Sequence, residues 1–174
     1  MTRANRRPKD ILPHVRYEIS QLASACSVRV PPDAPLPDFP RNLIIECILL
    51  HVRALLPFFE RPATSRPKND VLAADLGFAP AALPIDPGVR ERIDKDLAHL
   101  TWARAERKPI DCQWNLGQIA TPVLERALEL IEHVLKGGAG ELDGAGKADW
   151  ETLRDQVRQC LGTTASFTGA PAPR

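Results

Sequence analysis

Glu46, His51 and Arg53 interrupt the most apolar stretch of the chain, Leu43 to Leu56, where every other residue is hydrophobic. Long charged side chains are seldom buried without partners. At about 100° per residue, Glu46 and Arg53, seven apart, return to nearly the same helix face, and His51 lies about 140° from Glu46, one turn beyond Cys47. The bland reading has these residues satisfying one another or neighbouring loops. The chemical reading has Glu46, His51 and Arg53 serving a functional site.

A sharper constellation lies in Arg92-Ile93-Asp94-Lys95-Asp96-Leu97-Ala98-His99. Arg92 and His99 are also seven apart and project in the same direction, with Asp96 between them on one strip. That strip flanks the apolar positions Val89, Ile93, Leu97 and Leu100, so it should sit at the edge of a core. Arginine presents a rigid fork of donors suited to phosphate, and histidine titrates near neutrality. The two form a minimal kit for cleaving RNA without a metal. Histidine moves the proton of a 2′-hydroxyl or of the leaving oxygen, and arginine stabilises the phosphorane charge. Thr101 and Arg104, just beyond His99, are further candidates for substrate contact. Arg90, nine residues from His99, falls on another face. The structural alternative for Arg92 is a salt bridge to Asp96.

The elements that must position these groups are helices, and no segment reads as a strand. Val15, Ile19, Leu22, Ala23 and Cys26 make an amphipathic stripe over 13–26, followed by a proline-rich crossover, VPPDAPLPDFP. The second helix runs from about Arg41 to Phe58 or Phe59. Residues 61–86 read as an ordered loop with a short helical turn near Val71 to Leu76. Asp86 and Pro87 mark the start of a third helix that could continue to Lys108. Thr121 and Pro122 are read as the start of a fourth, which Gly137-Gly138 ends. The stretch 137–147 reads as a Gly-rich linker, 148–161 as a C-terminal helix and 162–174 as a disordered tail. The expected fold is therefore all-α: an up-and-down four-helix bundle over residues 10–136 with an extra C-terminal helix.

The spacing Arg92-x6-His99, set in RERIDKDLAHLTW within an all-helical chain, resembles the R-x4-6-H motif of the HEPN superfamily (higher eukaryotes and prokaryotes nucleotide-binding domains). The resemblance implies a helical bundle, often a homodimer with two Arg/His motifs facing each other across the interface. Many such proteins are metal-independent ribonucleases in bacterial toxin–antitoxin or defence systems. It carries the catalytic role onto Arg92 and His99, with an acidic residue of an early helix, here Glu46, in support. A cognate antitoxin or other protein would then be the partner. Active members usually have a polar residue after the arginine, whereas this chain has Ile93. That departure favours the competing expectation, a catalytically inactive helical bundle that binds a partner protein or nucleotide.

Composition narrows the function classes. The 174 residues carry 23 Lys and Arg against 22 Asp and Glu, a formal charge of +1, which excludes a polycationic nucleic-acid coater and confines any RNA contact to a local site. Cys26, Cys47, Cys112 and Cys160 are scattered, with no C-x-x-C pair, and read as free thiols rather than metal ligands. A metal site from Cys47, His51, His99 and His133 lacks a His-x-x-x-His pair, so neither metal nor cofactor is expected. With no secretory signal after the basic start and no uninterrupted apolar span, the expected location is cytoplasmic, away from membranes.

Overall fold

In the computed structural model the described residues are 7–28, 37–65, 67, 69–98, 106 and 114–164. They form five helices: α1 (Pro8–Cys26), α2 (Asp38–Glu60), α3 (Pro87–Ala98), α4 (Leu116–Leu135) and α5 (Gly144–Thr164). Short 3₁₀ turns at Ala63–Ser65 and Ala73–Leu76 lie between α2 and α3, and no strand occurs among the described residues. The all-helical expectation holds at this level.

Several helices begin earlier than local punctuation suggests. Pro8 stands at the start of α1, where its missing N–H costs nothing, and Pro13 is carried inside the helix. Asp38, Phe39 and Pro40 belong to α2 rather than to the crossover, because a proline in the first turn also leaves no helical bond unmade. Thr121 does not cap α4. Asn115 does, its side chain accepting from the Gln118 amide at 3.2 Å, with Pro122 inside the helix. Helix α5 starts at Gly144, so the last residues of the expected linker are helical, and it extends to Thr164. The expected extension of α3 to Lys108 lies outside the described residues apart from Glu106, which is helical.

Helices α1 and α2 pack closely, α4 packs on α5, and α5 packs on α1, while α2 also meets α4. Ion pairing of Arg16 with Asp149 and the Gln156-to-Ser24 hydrogen bond of 2.8 Å set α1 and α5 parallel. Trp150, Leu153, Val157 and Cys160 of α5 are buried with Ile19, Leu22 and Ala23 of α1 in one continuous core. The C-terminal helix is thus a full member of the core. It is α3 that lies at the margin, packed chiefly on α2. Burying one apolar stripe of α5 at roughly 25 cal/mol per Å² is ample reason for it to dock.

Helix α2 is long and apolar enough to cross a membrane by length and composition alone. Here Ile48, Leu49, Val52, Leu55 and Phe59 of that helix are core residues. Its outer face is another matter: Phe39, Leu43 and Leu50 are 74%, 49% and 53% exposed.

Candidate functional site

The third helix is built to hold two unlike faces. The Asp86 carboxylate accepts from the amides of Gly88 at 2.8 Å and Val89 at 3.1 Å, which starts α3 cleanly. Ile93 is fully buried and anchors the helix. Arg90 and Asp94 point towards α2. Arg92 and Asp96, about 200° round from them on a regular helix, point away from it.

On the second face the Arg92 guanidinium lies over the ring of Trp114, just before α4, 3.9 Å from its centroid. Its Nε stands 3.7 Å from Asp96 Oδ2, an ionic rather than a hydrogen-bonding distance. The side chains of Arg92 and Asp96 are 21% and 9% exposed, so the pair sits at the core edge. A cation held against an indole face in this geometry is stabilised by about 0.5–2 kcal/mol and has little freedom to swing. The expected Arg92–Asp96 pair is therefore present, and Trp114 joins it.

The other candidates lie elsewhere. Arg53 Nε donates to Asp94 Oδ1 at 2.9 Å, on the α2 side of α3. His51, buried, holds Glu18 Oε2 of α1 at 2.7 Å from its Nδ1, with the Tyr17 ring edge-on at 6.1 Å between centroids. A carboxylate only accepts, so Nδ1 carries the proton. Glu46 is exposed on α2, two turns from Arg53. His99, Thr101 and Arg104 lie outside the described residues. The expected union of Glu46, His51 and Arg53 with the Arg92 strip is not what the structure builds. Helix α3 turns Asp94 towards α2, which carries Arg92 to the far side, and α1 claims His51.

Two groups that local spacing set aside matter more than expected. Arg90 donates to Glu60 Oε2 at 2.5 Å and to Oε1 at 2.8 Å, and also to the carbonyls of Leu83 at 2.6 Å and Ile85 at 2.9 Å. Glu60 in turn accepts from the Leu83 amide at 2.6 Å. Burial pushes the Glu60 carboxyl up, but the Arg90 hydrogen bonds, the Leu83 amide and the Arg90 charge together outweigh it and leave the carboxyl below its ordinary value. This knot ties the end of α2 to the start of α3 and to the chain between them. The second group is His133. Its Nε2 lies 2.8 Å from the Leu76 carbonyl and its ring rests 5.5 Å from that of Phe78, pinning the 3₁₀ turn onto α4. Both partners are distant in sequence from the residue they hold, and no short-range spacing signals them.

Beside the knot, α2 and α3 border an open cleft of about 540 Å³ with Leu50, Ala54, Pro57 and Ile93 among its apolar lining. The Arg53–Asp94, Arg61–Asp70 and Arg90–Glu60 pairs ring it, so its charges cancel locally. Among the described residues, no group of three or more His, Cys, Asp or Glu is placed to hold a metal ion. Compared with protein-family models, curated proteins and solved structures, the chain matches none.

Proposed function

We propose that the protein acts on RNA as a HEPN-like, metal-independent endoribonuclease, with Arg92 and His99 as the reacting pair and Asp96 beside them. The observation that carries this reading is the fixed place of Arg92. Its guanidinium is oriented by the Trp114 ring and the Asp96 carboxylate at the edge of the core, about one-fifth exposed, on the strip that also holds His99 by sequence spacing. A pre-oriented cation on a rigid helix stabilises developing phosphorane charge without reorganisation. In this reading His99 takes the 2′-hydroxyl proton, and the 2′-oxygen attacks phosphorus. The bond to the 5′-oxygen breaks, that oxygen takes a proton from water to leave as a 5′-hydroxyl, and a 2′,3′-cyclic phosphate remains. Glu46, His51 and Arg53 have no part in that step. Thr101 and Arg104 stand as candidates for substrate contact by position in the chain, and the resemblance puts forward a homodimer with an antitoxin-like protein partner.

The deciding experiment is incubation of the purified protein with a mixed pool of labelled RNA in EDTA. Cleavage with cyclic-phosphate ends, lost in His99→Ala and strongly reduced in Arg92→Lys while both variants keep the wild-type melting profile, supports the reading. Failure of folded wild-type protein to cut any RNA in the pool overturns it.

A second reading, a catalytically silent bundle that binds a partner protein, is favoured by a separate observation. Phe39, Leu43 and Leu50 form an exposed apolar stripe on α2 at helical spacing. Under this reading Leu50→Glu abolishes partner capture and leaves any RNA cleavage unchanged.

A further inference from the structure

Helices α1 and α5 bring two cysteines to one seam. The Arg16–Asp149 ion pair and the Ser24–Gln156 hydrogen bond fix a parallel register between α1 and α5. Continued along both helices, that register brings Cys26, the final residue of α1, to within two positions of the level of Cys160 on α5. Cys160 is buried against the core and Cys26 is half-buried. Cys160 belongs to the core and Cys26 packs against it, and Cys160 is the neighbour that weighs most on the Cys26 thiol. Neither Cys26 nor Cys160 has a part in the RNA reading, and a mutual contact between thiols on different helices is not needed to fill a core. Valine or alanine would fill the same space.

We propose that Cys26 and Cys160 are a redox-sensitive dithiol, which a two-electron oxidant of the peroxide class converts to a disulfide joining α1 to α5. Cys26 is the point of entry, because α1 ends there and the next two residues, Ser27 and Val28, are exposed. The Cys26 sulfur, as thiolate, attacks one peroxide oxygen; the O–O bond breaks, and hydroxide leaves to be protonated to water. The Cys160 thiol then gives up its proton and attacks the resulting sulfenic sulfur. The S–S bond forms, the S–O bond breaks, and a second water carries away the hydroxyl. Two electrons pass from the two sulfurs to the peroxide, and a thiol reductant reverses the step. The neighbouring Cys160 thiol, and after it burial, push the Cys26 thiol up, so at neutral pH the reaction is slower than that of an exposed cysteine.

The test uses the whole protein, reduced, freed of reductant and treated with hydrogen peroxide, then digested with trypsin without reduction. Each cysteine falls in its own tryptic peptide: Cys26 in 17–29, Cys47 in 42–53, Cys112 in 108–126 and Cys160 in 159–174. The expected result is a dominant cross-link between 17–29 and 159–174, reversed by dithiothreitol. The oxidised wild type should melt several degrees higher than the reduced form, because the bond closes a long loop. Cys160→Ala should show no such rise. A dominant cross-link from Cys26 to Cys47, over-oxidation of Cys26 without any cross-link, or four free thiols in folded protein after treatment overturns the proposal. The mapping is made on wild-type protein, so the outcome does not depend on a variant folding, nor on whether RNA is cleaved.

Discussion

Arg90 and Arg92 are two residues apart on one short helix, yet they are held in opposite ways. Arg90 spends its guanidinium on four short hydrogen bonds to Glu60, Leu83 and Ile85, all within the chain that it ties together. Arg92 is steadied by an aromatic face and by a carboxylate at ionic distance. The first arrangement is a structural knot in which the guanidinium is already spent on the fold. The second orients a cation at the core edge. An arginine's meaning therefore depends less on its motif spacing than on what satisfies it.

The comparison can be broken most sharply at Arg90. Arg90→Ala leaves the half-buried Glu60 carboxylate and two carbonyls without their donor, which costs about 3 kcal/mol, or roughly 6–12 °C in melting temperature for a chain of this size. A loss below about 1 kcal/mol in urea unfolding would show that the knot is not structural. Next in size is Gly138→Ala. A Cβ there would fall 2.1–2.5 Å from ring atoms of His133, so the ring must leave the Leu76 carbonyl. We expect about 1–3 kcal/mol of destabilisation, with little change if Gly138 is substituted in a His133→Ala background.

The acid limb of stability separates the two arginines further. The Glu60 carboxyl sits below its ordinary value of 4.5 in the folded protein. Its contribution is therefore fully present above that pH and is lost as pH falls through the lowered folded value. Glu60→Gln should be less stable than wild type at pH 7, with a flatter stability profile below about pH 4.5. Equal acid slopes for the two proteins would count against the knot. Trp114→Leu should cost about 0.5–1 kcal/mol of stability and, under the RNA reading, reduce cleavage by disordering Arg92. The smallest effect belongs to Arg53→Ala, which removes a surface pair worth at most about 1 kcal/mol and should leave cleavage untouched.

Much of the helical content was legible in the sequence because apolar periodicity is local. The stripes of α1, α4 and α5 and the Asp86 cap of α3 needed no tertiary knowledge. What local reading could not supply was the partner of each group. His51 is satisfied by Glu18 on another helix and Arg90 by Glu60 on another, and these depend on inter-helix register. Arg90 was set aside for facing away from His99, yet that orientation is what lets it reach Glu60. Trp150, Leu153, Val157 and Cys160 share one face of α5 by local spacing, but which helix that face covers again depends on register. Proline misplaced the helix starts, since its cost vanishes within a first turn and is absorbed by packing further in.

The parallel seating of α5 against α1 also bears on how the molecule assembles. The contacts Arg16–Asp149 and Ser24–Gln156 join helices far apart in the chain, so the α1–α5 part of the core closes through contacts of very high sequence separation. High contact order slows folding. During synthesis, Ile19 and Leu22 emerge early and wait for their α5 neighbours until residues 144–164 have been made. Until then the nascent chain carries an uncovered apolar seam, which α5 closes.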